Sequence, residues 1–234
     1  MTTRIFRRGL LAVDTLDAAR SLIGAHLVRG CGPEARSGRI VEVEAYIGRD
    51  DLASHAHSGP TARNAAMFGM PGRAYVYLTY GMHHCLNVVT ESDGRPAALL
   101  VRAVSPIAGT DVMRRARLGW LDSRFSQDSD ERLPAARSRV SALDVEFLAS
   151  GPGLVTQSFS VTRTDNGVDL CDAASELRLE YEVEDESLPI VTGPRIGMGT
   201  VPEPWFSRPW RFYVPGNPSV SHTQRRHGAR PAKP

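Results

Sequence analysis

Glu42 and Glu44 stand two positions apart in RIVEVEAYIG, residues 39–48, with Tyr46 two further on, in a run that is otherwise apolar. A carboxylate can take a proton from water, an arginine can orient that water, and tyrosine or histidine rings can sandwich a planar heterocycle. Residues of these types recur along the chain. His55 lies in a polar loop, Tyr77 and Tyr80 lie in RAYVYLTYGMHHCLNVV, and Arg102 lies within the apolar AALLVRAVSP, where a charge needs a partner or a task. Glu44, Tyr46, His55, Tyr77, Tyr80 and Arg102 together suit hydrolytic chemistry on a nucleobase. Taken singly, each tyrosine is ordinary strand packing, and an alternating strand most often turns its polar side to solvent. Only the combination points to a site.

Other chemistries find less support. His55 and His57 are spaced H-x-H, and His83, His84 and Cys85 run together. Three consecutive strand residues cannot converge on one ion, and neither C-x-x-C nor H-E-x-x-H completes a set. A zinc-dependent hydrolase built on His55 and His57 stays open as an alternative, but the expected site has no metal and no organic cofactor. GMG at 197–199 is not a dinucleotide fingerprint, and no P-loop occurs. Seven histidines allow a nucleophilic triad in principle, yet no serine sits in a G-x-S-x-G elbow. Cys31, Cys85 and Cys171, odd in number and far apart, suggest neither a disulfide framework nor a zinc ribbon.

The elements that must position these side chains follow from period and punctuation. Residues 40–47 are rich in β-branched types and free of Gly and Pro. They read as a strand with Glu42, Glu44 and Tyr46 on one face and Val41, Val43, Ala45 and Ile47 toward a core. Residues 16–28 have apolar positions at helical spacing, behind Asp14 or Thr15 as a cap. A long polar loop over 49–72 follows the first strand, then strands at 74–79 and 83–89 about a tight turn at Tyr80, Gly81 and Met82, and another at 97–106. The sequence predicts a helix over 109–117, opening at Thr110 and Asp111. Residues 118–142 are polar, Ser-rich and nearly aperiodic, which predicts a mobile surface insertion. SGPG at 150–153 introduces a second helix, whose free amides suit a phosphate or merely form a turn. Strands near 177–183, 190–197 and 210–214 complete a mixed sheet.

At 234 residues the chain suits one good-sized core, and no linker or repeat divides it. No apolar run approaches the ~20 residues of a membrane span. MTTRIFRRGLLAVD lacks the apolar stretch and cleavage site of a signal peptide, so an intracellular, soluble protein is expected. The net charge is only +2, but acid gathers between 165 and 186, and arginine gathers at Arg114, Arg115 and Arg117 and in the tail QRRHGARPAKP. That distribution is compatible with a polyanionic partner, although solvated surfaces are commonly like it. Lys233 is the only lysine.

Several blocks in register carry a family resemblance. VEVEAYIG, ASHAHSGPTARNAAMFG, PGRAYVYLTYGMHHCLNVV, LLVRAVSPIAG, SGPG followed by TQ, and RIGMG with PWRFYVPGNPSVS resemble in order the blocks of the alkyladenine (3-methyladenine) DNA glycosylases, from about residue 5 to 221. The resemblance implies a single α+β domain over 1–221 with a curved, mostly antiparallel sheet flanked by helices; residues 222–234 are expected to be a disordered basic tail. It implies a monomeric base-excision repair enzyme, cytoplasmic, nucleoid-associated and of bacterial type. Its partner would be double-stranded DNA containing a damaged purine of the 3-methyladenine, 7-methylguanine, hypoxanthine or ethenoadenine class, with no membrane involved. On this likeness Glu44 activates the attacking water, and Arg102 and the main-chain carbonyl of Met198 hold it. Tyr46, His55 and Tyr77 enclose the extruded base, Tyr80 wedges into the minor groove, and Asn87 crowds the 2-amino group of an ordinary guanine. A catalytically silent DNA-damage-binding module of the same fold is the alternative. Three departures stand out: Leu154 where the family usually has a lysine, TARN in place of TPRN, and the 118–142 segment. Nicking DNA requires an attacking amine; Lys233 lies in the tail, and the N-terminal α-amine, the other candidate, is discounted because the matched carboxylate already supplies a water route, so a monofunctional glycosylase is expected.

Overall fold

In the computed structural model, residues 2–125, 132–183, 188–199 and 201–221 are described. In chain order they form β1 (Thr3–Ile5), α1 (Thr15–Leu22), β2 (His26–Arg29), β3 (Arg36–Ile47), β4 (Ala74–Thr79), β5 (His83–Val89) and β6 (Ala97–Ala108). Then follow α2 (Thr110–Arg124), α3 (Arg132–Ser141), α4 (Pro152–Ser158), β7 (Leu177–Glu182), β8 (Val191–Gly193) and β9 (Arg211–Tyr213). The strands make one open sheet in the order β1-β7-β2-β3-β6-β5-β4, with β9 beside β3 and β8 beside β9. Each of these pairings is antiparallel. This is the mixed single-domain architecture that the resemblance implied. The 222–234 tail lies outside the described residues.

β3 and β6 pair along nearly their whole length and form the spine. The other edge of β3 is shared: β2 pairs with residues 36–39 and β9 with residues 42–44. Where one partner hands over to the other, the register against β6 slips on both sides of Glu42, a bulge of the kind that twists a strand and re-aims its side chains. Val43, Ala45, Leu99 and Val101 are buried in the main core with Leu22, Leu27, Phe159 and Phe212.

Three elements differ from expectation. The helix expected over 16–28 stops at Leu22: Asp14 caps its start by accepting from the Leu16 amide at 2.9 Å, but Gly24 at φ 93° breaks the helical path. Residues 26–29 then pair with β3 and β7 as β2. The segment 118–142, read as an irregular insertion, is helical over 118–124 as the end of α2 and over 132–141 as α3, while 126–131 lie outside the described residues. These helices turn polar faces outward, which hides their period. Arg114 closes α3 by donating to the carbonyls of Val140 at 2.6 Å and Ser141 at 3.1 Å, and Arg137 pairs with Asp122 across the two helices. The strand expected over 190–197 is only the three residues of β8.

Candidate active site

Glu42 and Glu44 do not face solvent. Both are fully buried, because β3 has strands on both edges and the backbone at Ile196 and Ser221 reaches its two carboxylates. Glu44 Oε1 forms an ion pair with Arg102 Nη1 at 3.1 Å and accepts from the Ile196 amide at 2.6 Å. Its Oε2 accepts from the Tyr46 hydroxyl at 3.0 Å. A carboxylate offers about four acceptor positions, so Oε2 retains capacity for one more donor. Burial raises the Glu44 pKa above the usual carboxylate range, and the Glu42 charge adds to this, while Arg102, the Ile196 amide and Tyr46 pull it back. The result is a carboxylate with more than ordinary affinity for a proton, held in a fixed orientation.

Beside this cluster lies a recess lined by Tyr46, His55, Met67, Tyr75, Tyr77 and Asn87 among others. Strand alternation places Tyr75 and Tyr77 on one face of β4, and β5 brings Asn87 opposite Tyr75. His55 reaches the recess from the loop after β3. That loop is ordered by Asn64, whose side-chain amide donates to the His55 carbonyl at 2.8 Å and the Gly59 carbonyl at 3.0 Å. His55 meets Tyr77 edge to face with centroids 4.5 Å apart, and its Nδ1 is 2.8 Å from the Tyr75 hydroxyl. Partial burial, then the nearby Arg63 cation, lower the His55 pKa, so the ring is neutral near pH 7. Burial pushes the Tyr75 hydroxyl up to about 12 and raises Tyr46 and Tyr77 as well. The recess holds about 30 Å³, room for a water molecule or two rather than a purine. A purine would fit only if the His55 loop and the tyrosines parted.

Tyr80 stands apart from the recess, 86% exposed at the tip of the β4–β5 hairpin. Its φ is 50° and that of Gly81 is 64°. A left-handed tyrosine costs roughly 1–2 kcal/mol, so a strained aromatic occupies a place where glycine would relax the turn. Met198 is buried, and its carbonyl accepts from the Val201 amide at 3.1 Å. Leu154 is half-buried in α4, whose entry is tied to β6 by the Gly151 amide donating to the Arg102 carbonyl at 2.9 Å.

Three contributors escaped the sequence reading. Tyr75 stands two residues before Tyr77 in β4, and its hold on His55 joins residues 20 apart. Asp51 and Arg195 form a two-bonded ion pair, at 2.6 and 2.9 Å, with both side chains fully buried. Arg195 also donates to the Ala45 carbonyl at 2.9 Å and lies 4.8 Å from the Tyr46 ring centroid and 5.0 Å from that of Trp210. It thus backs the Tyr46 ring with a cation. A buried arginine in RIGMG was the only available signal.

Among the described residues no group of three His, Cys, Asp or Glu side chains is placed to hold a metal ion. His57 Nδ1 is 2.8 Å from the Arg49 carbonyl, away from the His55 contacts. A larger open groove of about 390 Å³, lined in part by Met82, His84, Trp120 and Gln157, contains no carboxylate. No described helix is long and apolar enough to cross a membrane.

The family model for methylpurine-DNA glycosylase matches residues 10–218. A candidate 3-methyladenine DNA glycosylase of Methanocella arvoryzae is 45% identical over 207 residues, spanning 88% of this chain and 90% of that protein. Proteins of the same designation from Anaeromyxobacter dehalogenans and Bacillus cytotoxicus are 42% and 39% identical, over 90% and 89% of this chain and 83% and 95% of theirs. Likeness of this extent runs through every element of the sheet from β2 to β9, and the chain belongs to the methylpurine-DNA glycosylase family.

Proposed function

We propose that this glycosylase hydrolyses the N-glycosidic bond of an alkylated or deaminated purine in duplex DNA, after extruding the base, and stops at the abasic site. The observation that carries this reading is the buried Glu44, oriented by Arg102 and Tyr46, beside an aromatic recess. A base cannot be attacked at its sugar carbon while stacked, and flipping costs a few kcal/mol that enclosure by Tyr46, His55 and Tyr77 offsets. Water held at Glu44 Oε2 loses its proton to the carboxylate as its oxygen bonds to the sugar carbon. The C–N bond breaks with its electron pair leaving on the purine. A cationic 3-methyladenine or 7-methylguanine departs readily, whereas neutral hypoxanthine or ethenoadenine needs a proton. The Glu44 charge also stabilises the cation developing on the sugar. Asn87, fixed by donating to the Tyr75 carbonyl at 2.9 Å and lining the recess, has in this scheme the task of crowding the 2-amino group of guanine.

The test is a panel of single-lesion duplexes, with product analysed before and after alkali and with borohydride trapping. Base release and strand breakage only after alkali are expected. Tight lesion binding without release would favour a damage-sensing module instead. A borohydride adduct would overturn the monofunctional reading. The only lysine, Lys233, lies in the polar 222–234 segment, and guanidinium groups stay protonated.

Tyr80 is the wedge that fills the vacated stack in this scheme. Tyr80→Gly should leave thermal stability equal or higher, because the left-handed strain is relieved, yet weaken lesion-duplex binding by about 1–3 kcal/mol. Stopped-flow fluorescence of ethenoadenine should show a smaller loss when no base lies opposite the lesion. Equal losses on paired and unpaired lesions would contradict the wedge.

A further inference from the structure

Glu42 has no task in the scheme above, yet it is as deeply buried as Glu44 and shares Arg102 with it. A buried carboxylate persists in a fold only where donors replace its lost hydration. Three elements supply them here. Arg102 Nε from β6 donates to Glu42 Oε1 at 3.1 Å, and Arg211 Nη1 from β9 donates to the same oxygen at 3.2 Å. The Ser221 amide donates to Oε2 at 2.7 Å, and the Ser221 hydroxyl accepts from Arg102 Nη2 at 3.2 Å. Two nitrogens of the Arg102 guanidinium, Nε and Nη2, are thereby held, while Nη1 pairs with Glu44. The PWRFYVPGNPSVS block, whose purpose the sequence left open, is the source of both Arg211 and Ser221.

We infer that Glu42 is a positioning residue: clamped by Arg211 and Ser221, it orients Arg102, draws part of that cation away from Glu44, and so sets how readily Glu44 takes a proton from water. The inference rests on reading Glu44 as the base. Two carboxylates and two guanidinium groups balance within the cluster. Removing the Glu42 charge leaves positive charge in surplus, which stabilises ionised Glu44 and makes it a weaker base. Removing the Arg211 charge leaves negative charge in surplus and has the opposite effect. The other groups facing Glu44 are the Ile196 amide, the Tyr46 hydroxyl and, farther off, Tyr77 and Cys85. All are neutral near pH 7, with the three titratable ones shifted upward chiefly by burial, and all are common to both variants.

The experiment compares Glu42→Gln and Arg211→Gln with wild type by two readouts. One is the acidic limb of the pH dependence of hypoxanthine release from a duplex. The other is the midpoint of the Glu44 side-chain signal in a ¹³C NMR titration of glutamate-labelled protein, assigned by its absence in Glu44→Gln. Both should move to lower pH in Glu42→Gln and to higher pH in Arg211→Gln, each by on the order of one pH unit. Shifts in the same direction, or fixed midpoints with uniformly slower release, would overturn the inference and leave Glu42 a structural residue only. If wild type releases no base, the proposed activity fails while the NMR midpoints still decide the role of Glu42. If Glu42→Gln does not fold, Arg211→Gln decides alone, since its side chain is 17% exposed at the rim, and an unmoved midpoint there overturns the inference.

Discussion

Glu44→Gln should bind lesion-bearing duplex as tightly as the wild-type protein and release a neutral lesion roughly 100- to 10,000-fold more slowly. The amide keeps the length and shape of the side chain: its oxygen can still accept from the Ile196 amide, as Oε1 does at 2.6 Å, while its NH2, replacing the Oε2 that accepts from Tyr46 at 3.0 Å, can donate to that hydroxyl instead. It cannot accept the proton of water at useful basicity. Wild-type release should fall off on the acid side at a pH above the ordinary carboxylate range, because burial raises the Glu44 pKa and protonation removes the base. That limb should vanish in the variant. Single-turnover release of hypoxanthine across pH, beside binding by fluorescence anisotropy, checks both statements. Release within a few-fold of wild type would mean that Glu44 is not the base. A cationic lesion should show a smaller deficit, since its leaving group needs less help.

Breaking the Asp51–Arg195 pair should have the largest effect on stability, about 3–5 kcal/mol for Arg195→Met, because a fully buried carboxylate is left without its cation. Asp51 would retain only the Ile47 and Ala53 amides, at 3.2 and 3.1 Å. The Ala45 and Trp205 carbonyls would lose their guanidinium donor, and Tyr46 its backing. The double variant Asp51→Leu, Arg195→Met should recover much of the loss, since an apolar pair needs no compensating charge. Urea unfolding of the two single variants and the double variant measures this. A loss below about 1 kcal/mol for Arg195→Met would show that the site relaxes around the orphaned charge.

The legibility of this chain divides by sequence distance. β4, β5 and most of β6 were readable because β-branched and aromatic residues alternate and Gly81 marks the turn, all within one window. Glu44, Tyr46 and Arg102 were recognisable as a chemical set, and the structure does bring them within hydrogen-bonding distance. The burial of Glu42 and Glu44 was not readable. It depends on β9 and Ser221, and from β3 alone an acidic face is indistinguishable from a wet one. Asp51 looked like one acid in a polar loop, since its partner lies 144 residues away. α1 was overextended because LIGAHLV continues the helical spacing of apolar residues through Gly24, where local period and backbone conformation disagree.

The shared edge of β3 has a consequence for how activity appears during synthesis. The donors that complete the acidic pair, Ile196, Arg211 and Ser221, follow their acceptors by 152, 169 and 179 residues. At translation rates of ~5–20 residues per second, roughly 10–40 s separate emergence of the two glutamates from emergence of their last donor. During that interval β3 and β6 can pair, but Glu42 and Glu44 have only Arg102 and the Tyr46 hydroxyl as partners and nothing closing above them. A ribosome that stalls before Arg211 thus releases a fragment in which the acidic pair lacks the donors that Arg211 and Ser221 supply. For an enzyme whose product is a hole in the genetic text, this order of assembly withholds the blade until the handle is finished.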